Sequence, residues 1–149
     1  MEKNQVVATE QTLPQIAETL LPHRPPMLLV ETLVERQGSR AVAMAILPTT
    51  GPFVCGGYVI PEYFIELIAQ TAALGNCFDA RACGTATRNG MLVGVDSFSW
   101  PRQAPIGIPV SIATNITFVF GAVKVVSGEV HAGEELLAAG DIKVWEDLG

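Results

Sequence analysis

Charge is scarce in this sequence. Only 16% of its 149 residues are Asp, Glu, Lys or Arg, and they sum to a formal net charge of -6 with no run of Lys or Arg. That excludes the basic footprint of a nucleic-acid-binding chain. Cysteine is also short: Cys55, Cys77 and Cys83 are odd in number and lack a C-x-x-C pair, which excludes a zinc site of the usual spacing. They read as free thiols in a reducing cytoplasm, and no metal or other cofactor is expected. No apolar stretch of transmembrane length runs without polar interruption, and Met1 to Gln11 lacks the apolar core of a signal peptide, so no membrane span is expected. Histidine is limited to His23 and His131, so few groups can move protons near neutral pH. Repeats, low-complexity tracts and linkers are missing too.

What is present is apolar. Hydrophobic residues make up 49% of the chain, enough for one core, so residues 1–149 read as a single domain with residues 1–11 as a flexible tail. The small polar surface favours an oligomer that hides part of the apolar remainder.

One stretch organises the rest. Residues 60–75 open on Pro61, suited to a first helical turn, and close on Gly75, suited to a C-cap. Apolar residues lie on nearly every side, which predicts a helix buried all round. Glu62, Glu66 and Gln70, at i, i+4 and i+8, share one stripe of it. Glu62 falls in the first turn, facing the positive end of the macrodipole. Glu66 is deeper, where a carboxylate must be paired, hydrogen-bonded or protonated. It is either a structural carboxylate or a catalytic acid or base.

Before this helix, Thr12-Leu13-Pro14-Gln15 has the capping-box form, and apolar residues at helical spacing predict a short helix over 12–21, ended by Pro22. Residues 27–35 and 41–47 read as paired strands, and 48–57 as a loop. After the helix, 79–89 is polar and shapeless. Strands follow at 91–100, 108–120, 123–131 and 135–145, joined late by glycine-bearing turns into antiparallel hairpins. One long helix against one antiparallel sheet is an α+β layout.

Three stretches in this order resemble the hot-dog-fold 3-hydroxyacyl-acyl-carrier-protein dehydratases. Leu21-Pro22-His23-Arg24-Pro25-Pro26-Met27-Leu28-Leu29-Val30-Glu31 is similar to that family's L-P-H-R-x-P-x-L-L-V-D. Pro61 through Glu66 to Gln70 is similar to its P-G-x-x-x-x-E-A-x-A-Q helix. Met91-Leu92-Val93-Gly94-Val95-Asp96-Ser97-Phe98, with Trp100-Pro101-Arg102 and Pro105-Ile106-Gly107, resembles its L-x-G-I-D-x-x-x-F-x-x-P-V-x-P-G-D. The resemblance implies a hot-dog fold, in which a curled sheet wraps the long helix and two chains pair edge to edge. It implies active sites at the dimer interface fed by an acyl tunnel, Glu66 as the catalytic carboxylate and Gln70 as the helix glutamine.

One departure bears on activity. The family's histidine opens H-F-P-G-x-P-x-x-P-G, and the corresponding position here is Pro52 or Phe53, neither of which can move a proton. Dehydration needs both a base for the α-proton and an acid for the leaving hydroxyl. His23 matches a family position outside the catalytic pair and is expected to cap or brace the first helix; His131 is expected in solvent beside a turn. Tyr58 supplies a phenol able to donate a proton. Phe53, Cys55, Gly56, Gly57, Glu62 and Gln70 are the expected substrate contacts, with the Glu62 side chain crowding the helix entrance.

Three functions remain open. The first is a dehydratase-like chain that acts on or binds acyl thioesters in fatty acid or polyketide-type biosynthesis. It resembles a histidine-lacking branch from polyene-type lipid pathways whose members pair with an active dehydratase. The second is a thioesterase using Glu66 with the amides of Gly56 or Gly57. The third is a non-catalytic acyl-binding or stabilising subunit. Expected partners are an acyl thioester on carrier protein or CoA, and a second chain in a homodimer or heterodimer. Arg24, Arg81, Arg88 and Arg102 are the cations available for docking an acidic carrier or a CoA phosphate.

Overall fold

The protein is described by a computed structural model over residues 12–147. The expected tail, residues 1–11, lies outside them. Ten strands and one long helix follow in chain order: β1 (Gln15–Ile16), β2 (Thr32–Gln37), β3 (Arg40–Ile46), β4 (Val54–Cys55), β5 (Tyr58–Val59), α1 (Glu62–Ala82), β6 (Gly90–Ser99), β7 (Ala104–Pro105), β8 (Pro109–Phe120), β9 (Val123–Ala132) and β10 (Glu135–Glu146). Seven of them form one sheet in the order β1-β2-β3-β8-β9-β10-β6, and β4-β5-β7 form a second small one. Every strand pair is antiparallel.

The large sheet turns one face to α1, which contacts β2, β3, β8, β9 and β10. Strand alternation makes this possible. Val110, Ile112 and Thr114 of β8 are buried, as are Ala41, Ala43 and Ala45 of β3, and these inward sets meet Phe64, Leu67, Ile68 and Leu74 of the helix. The approach is close enough to require glycine at position 128. A Cβ there would stand 2.5 Å from Ile68 Cγ2.

Several expectations fail. The strand expected at 27–35 is β2, Thr32–Gln37, and residues 27–31 run irregularly ahead of it. Residues 12–21 form no α-helix: Gln15 and Ile16 pair with Leu33 and Thr32 of β2, and only a single 3₁₀ turn follows at Ala17–Thr19. The Ala17 amide donates to the Glu31 carbonyl at 2.8 Å, so the segment draws its hydrogen bonds from the sheet edge. A ten-residue helix is marginal alone, and strand pairing wins. Gly75, in turn, does not end the central helix, which runs on to Ala82. Its missing Cβ makes room for Arg36, whose Nη1 would lie 2.7 Å from such an atom, and that guanidinium binds Asp79 on the next turn. The C-cap is Cys83, and Gly84 follows it at φ 67°: the Gly84 amide reaches the Arg81 carbonyl and the Thr85 amide reaches that of Ala80, closing a Schellman motif.

The helix is also not buried all round. Ile65, Glu66, Ala69, Ala73 and Asn76 are half-buried, leaving one face without a covering layer.

Candidate functional site

Pro61 is the N-cap of α1, and Glu62, in the first turn, is exposed. Four residues advance a helix by slightly more than one turn, so the Glu62–Glu66–Gln70 stripe drifts around the axis. It drifts inward: Glu66 is half-buried and Gln70 is 1% exposed.

Gln70 is fully used there. Its Oε1 accepts from the Leu29 amide at 2.9 Å and the Val30 amide at 3.4 Å. Its Nε2 donates to the Met27 carbonyl at 2.7 Å and to Glu66 Oε1 at 2.9 Å. One amide thus pins the irregular segment before β2 onto the helix and fixes one carboxylate oxygen of Glu66. That bond leaves Oε2 as the oxygen able to carry or take a proton. Among the described residues, Glu66 has no hydrogen-bonding partner besides Gln70.

The remaining candidates lie apart from this pair. Gly56 and Gly57, at φ 60° and 82°, make the two-residue turn joining β4 to β5, where two positive φ values suit the twist of a hairpin. Cys55 and Tyr58 flank that turn, both exposed. They line a hollow of about 200 Å³ with Trp100, Arg102 and Gln103 beside Pro61 and Phe64, and Glu66 is not part of its lining. Phe53 is half-buried, its ring edge-on to Tyr63 at 5.1 Å between centroids. The position matching the family histidine is therefore an exposed Pro52 or a ring packed into an aromatic pair.

Sequence reasoning passed over Tyr63. It lies one turn before Glu66, is 3% exposed, and burial pushes its phenol up to about 12, with the Glu31 carboxylate adding to the shift. Its spacing from Glu66 was visible; its neighbours were not.

Neither histidine joins Glu66. His23 is half-buried, with Nδ1 lacking a hydrogen bond among the described residues; the helix it was expected to brace does not exist. His131 belongs to β9 itself and stands 3.8 Å from Glu129. Of the four arginines, Arg24 bonds the Leu21 and His23 carbonyls, Arg81 the Thr19 carbonyl, and Arg102 pairs with Glu135 at 3.0 Å.

The ApeP-like family model, described as ApeP dehydratase, matches residues 15–148. The chain belongs to the ApeP-like dehydratase family. It is 34% identical over 128 residues to the 3-hydroxyacyl-acyl-carrier-protein dehydratase FabZ of Syntrophomonas wolfei, covering 82% of this chain and 87% of that one. The corresponding FabZ of Natranaerobius thermophilus is 31% identical over 129 residues, covering 83% and 89%. Among solved structures, the dehydratase heterocomplex ApeI:P from Xenorhabdus doucetiae superposes with a TM-score of 0.81 at 20% identity, covering 92% of this chain and 93% of that one. The fold is the hot-dog fold that the sequence motifs implied, with one helix packed on an open antiparallel sheet. As an ApeP-like dehydratase the chain is dehydratase-like in function, in fatty acid or polyketide-type biosynthesis. None of its described helices is long and apolar enough to cross a membrane.

Proposed function

We propose that this ApeP-like chain is the histidine-lacking half of a two-chain dehydratase acting on acyl thioesters. In this reading Glu66 supplies one of the two proton-transfer groups and a partner chain of the same fold supplies the other. The observation that carries it is the isolation of Glu66: oriented by Gln70, half-buried, and without a second proton-transfer group bonded to it among the described residues. Elimination of a β-hydroxyl needs one group to take the α-proton and another to protonate the departing oxygen. A single carboxylate leaves one of these tasks undone, and a chain lacking one member of such a unit loses most of its rate.

Two surface features support a partner. Among the described residues the outer edge of β6 is unpaired, and Met91, Val93 and Val95 on it are 61%, 53% and 41% exposed. An open apolar edge of this length invites another strand. The ApeI:P heterocomplex supplies the precedent of two dehydratases assembling together.

The test is hydration of an enoyl thioester by the chain alone and by the chain co-expressed with a dehydratase of its native host. The expected result is no turnover alone, turnover in the complex, and a fall of at least a hundredfold in the complex on Glu66→Gln with assembly retained. Ready turnover by the chain alone overturns the proposal. Thiol release from an acyl-CoA that disappears in Glu66→Ala would instead favour the thioesterase reading.

A further inference from the structure

The large sheet has a second face, turned away from α1, and strand register shows what stands on it. Residues directly opposite one another in an antiparallel pair share a face. Phe120 lies opposite Val123, Val123 opposite Trp145, and Trp145 opposite Met91, so these four form one row across β8, β9, β10 and β6. Glu146 bonds Asn76 of α1, so its neighbour Trp145, and the row with it, points to the other side. A second row, Phe118, Val125 and Lys143, runs beside the first.

Phe118 and Phe120 are 60% and 76% exposed, Met91 61% and Trp145 38%. Single apolar residues scattered over a surface mean little, but these are contiguous. They lie on the face of the sheet rather than along the edge of β6, so a strand added to that edge leaves them bare. At about 150–250 Å² for a whole aromatic side chain, the exposed parts of Phe118, Phe120 and Trp145 amount to roughly 350 Å². With Met91 and the valines included, two such patches laid together bury about 1,000 Å², which is where specific association begins.

Charge decides what covers the patch. The next row toward the middle of the strands is acidic, with Asp141 between Ser127 and Asp96, and Lys143 is held by Asp96 at 3.1 Å. That border and the net charge of -6 disfavour an anionic lipid surface. We propose that this outer face binds the same face of a second copy of the chain, the two related by a twofold axis running along the rows. An isologous contact of this kind lays apolar row on apolar row and sends the two acidic rows to opposite ends, so like charges do not meet. The sheets then stack face to face as in a sandwich. Because the contact uses the face and not the edge, it joins two free chains or two assembled complexes alike, and it does not depend on the dehydratase reading of Glu66.

The test is the mass of the full-length chain, and of its complex where a partner co-purifies, by light scattering and sedimentation velocity across micromolar concentrations. At the upper end of that range the unsubstituted protein is expected at twice the mass of a variant carrying Phe118→Ser and Phe120→Lys together. Trp145 emission, read in a Trp100→Phe background, should move to the blue as the protein associates. Val93→Lys, which acts on the β6 edge, should leave the face contact in place. Equal masses for the unsubstituted protein and the Phe118/Phe120 variant at every concentration overturn the proposal, as does association abolished by Val93→Lys alone. Binding to phosphatidylcholine vesicles that the Phe118/Phe120 variant loses, with no change of mass, assigns the patch to a lipid surface and overturns it too. Both phenylalanines are exposed, so the variant keeps its fold, which circular dichroism checks; if it does not fold, Met91→Lys takes its place.

Discussion

Gln70 makes four hydrogen bonds from one side chain, and three of them end on the backbone of residues 27–30. The buried Leu29 and Val30 amides have no strand partner, so this glutamine substitutes for a missing ladder. It follows that Gln70→Leu, close in size but without polar atoms, leaves the Leu29 amide and the Met27 carbonyl unpaired. We expect a loss of about 2–3 kcal/mol, read as a lower urea midpoint with an unchanged slope. The spacing of Glu66 and Gln70 was enough to place the two side chains on one stripe, because helical period is local information. That the glutamine reaches back across roughly forty residues to an irregular loop is a tertiary fact that no periodicity carries. Tyr63 is hidden from the sequence for the same reason: its raised phenol pKa comes from burial and from Glu31, which lies just before β2.

At the scale of elements, the late strands are legible, while the start of β2 and both helix ends are not. The late hairpins were legible because alternation and glycine turns agree, and β8, β9 and β10 fall within one residue of the expected ranges. The first helix was misread because its capping signal competes with a sheet edge that sequence cannot see. The glycines mislead in a related way. Gly75 looks like a stop signal, yet it stands inside α1 where Arg36 needs the space, and Gly128 lies inside β9 where Ile68 does. Gly128 is the more rigid case, since its neighbour is a buried branched side chain packed between helix and sheet, while Arg36 is long. Gly128→Ala should therefore cost about 1–3 kcal/mol by forcing α1 away from β9. Thermal unfolding reads this directly. An undiminished melting temperature would mean that Ile68 simply changes rotamer.

Among the described residues, apolar surface is exposed along the outer edge of β6 and around Phe118 to Phe120 at the end of β8, while the face of α1 around Ile65, Ala69 and Ala73 is half-buried. In a chain that is 49% hydrophobic, such surfaces are where the partner chain and the second copy proposed above would dock. Low charge content favours an oligomer, but composition does not say which surface it would use, because which strand lies at a sheet edge is set by tertiary pairing. Val93 separates the two roles of β6. It is 53% exposed, so replacing it touches little within the chain, and Val93→Lys should alter the stability of the isolated chain by no more than about 0.5 kcal/mol. In an edge-to-edge assembly the same lysine is placed at the seam without a counter-charge, a device proteins use to keep edges apart. The partner affinity should then fall at least tenfold, measured by light scattering and by titration of the co-purified chain. If Val93→Lys leaves assembly intact, the partner does not sit on β6, and the uncovered face of α1 becomes the surface to mutate next.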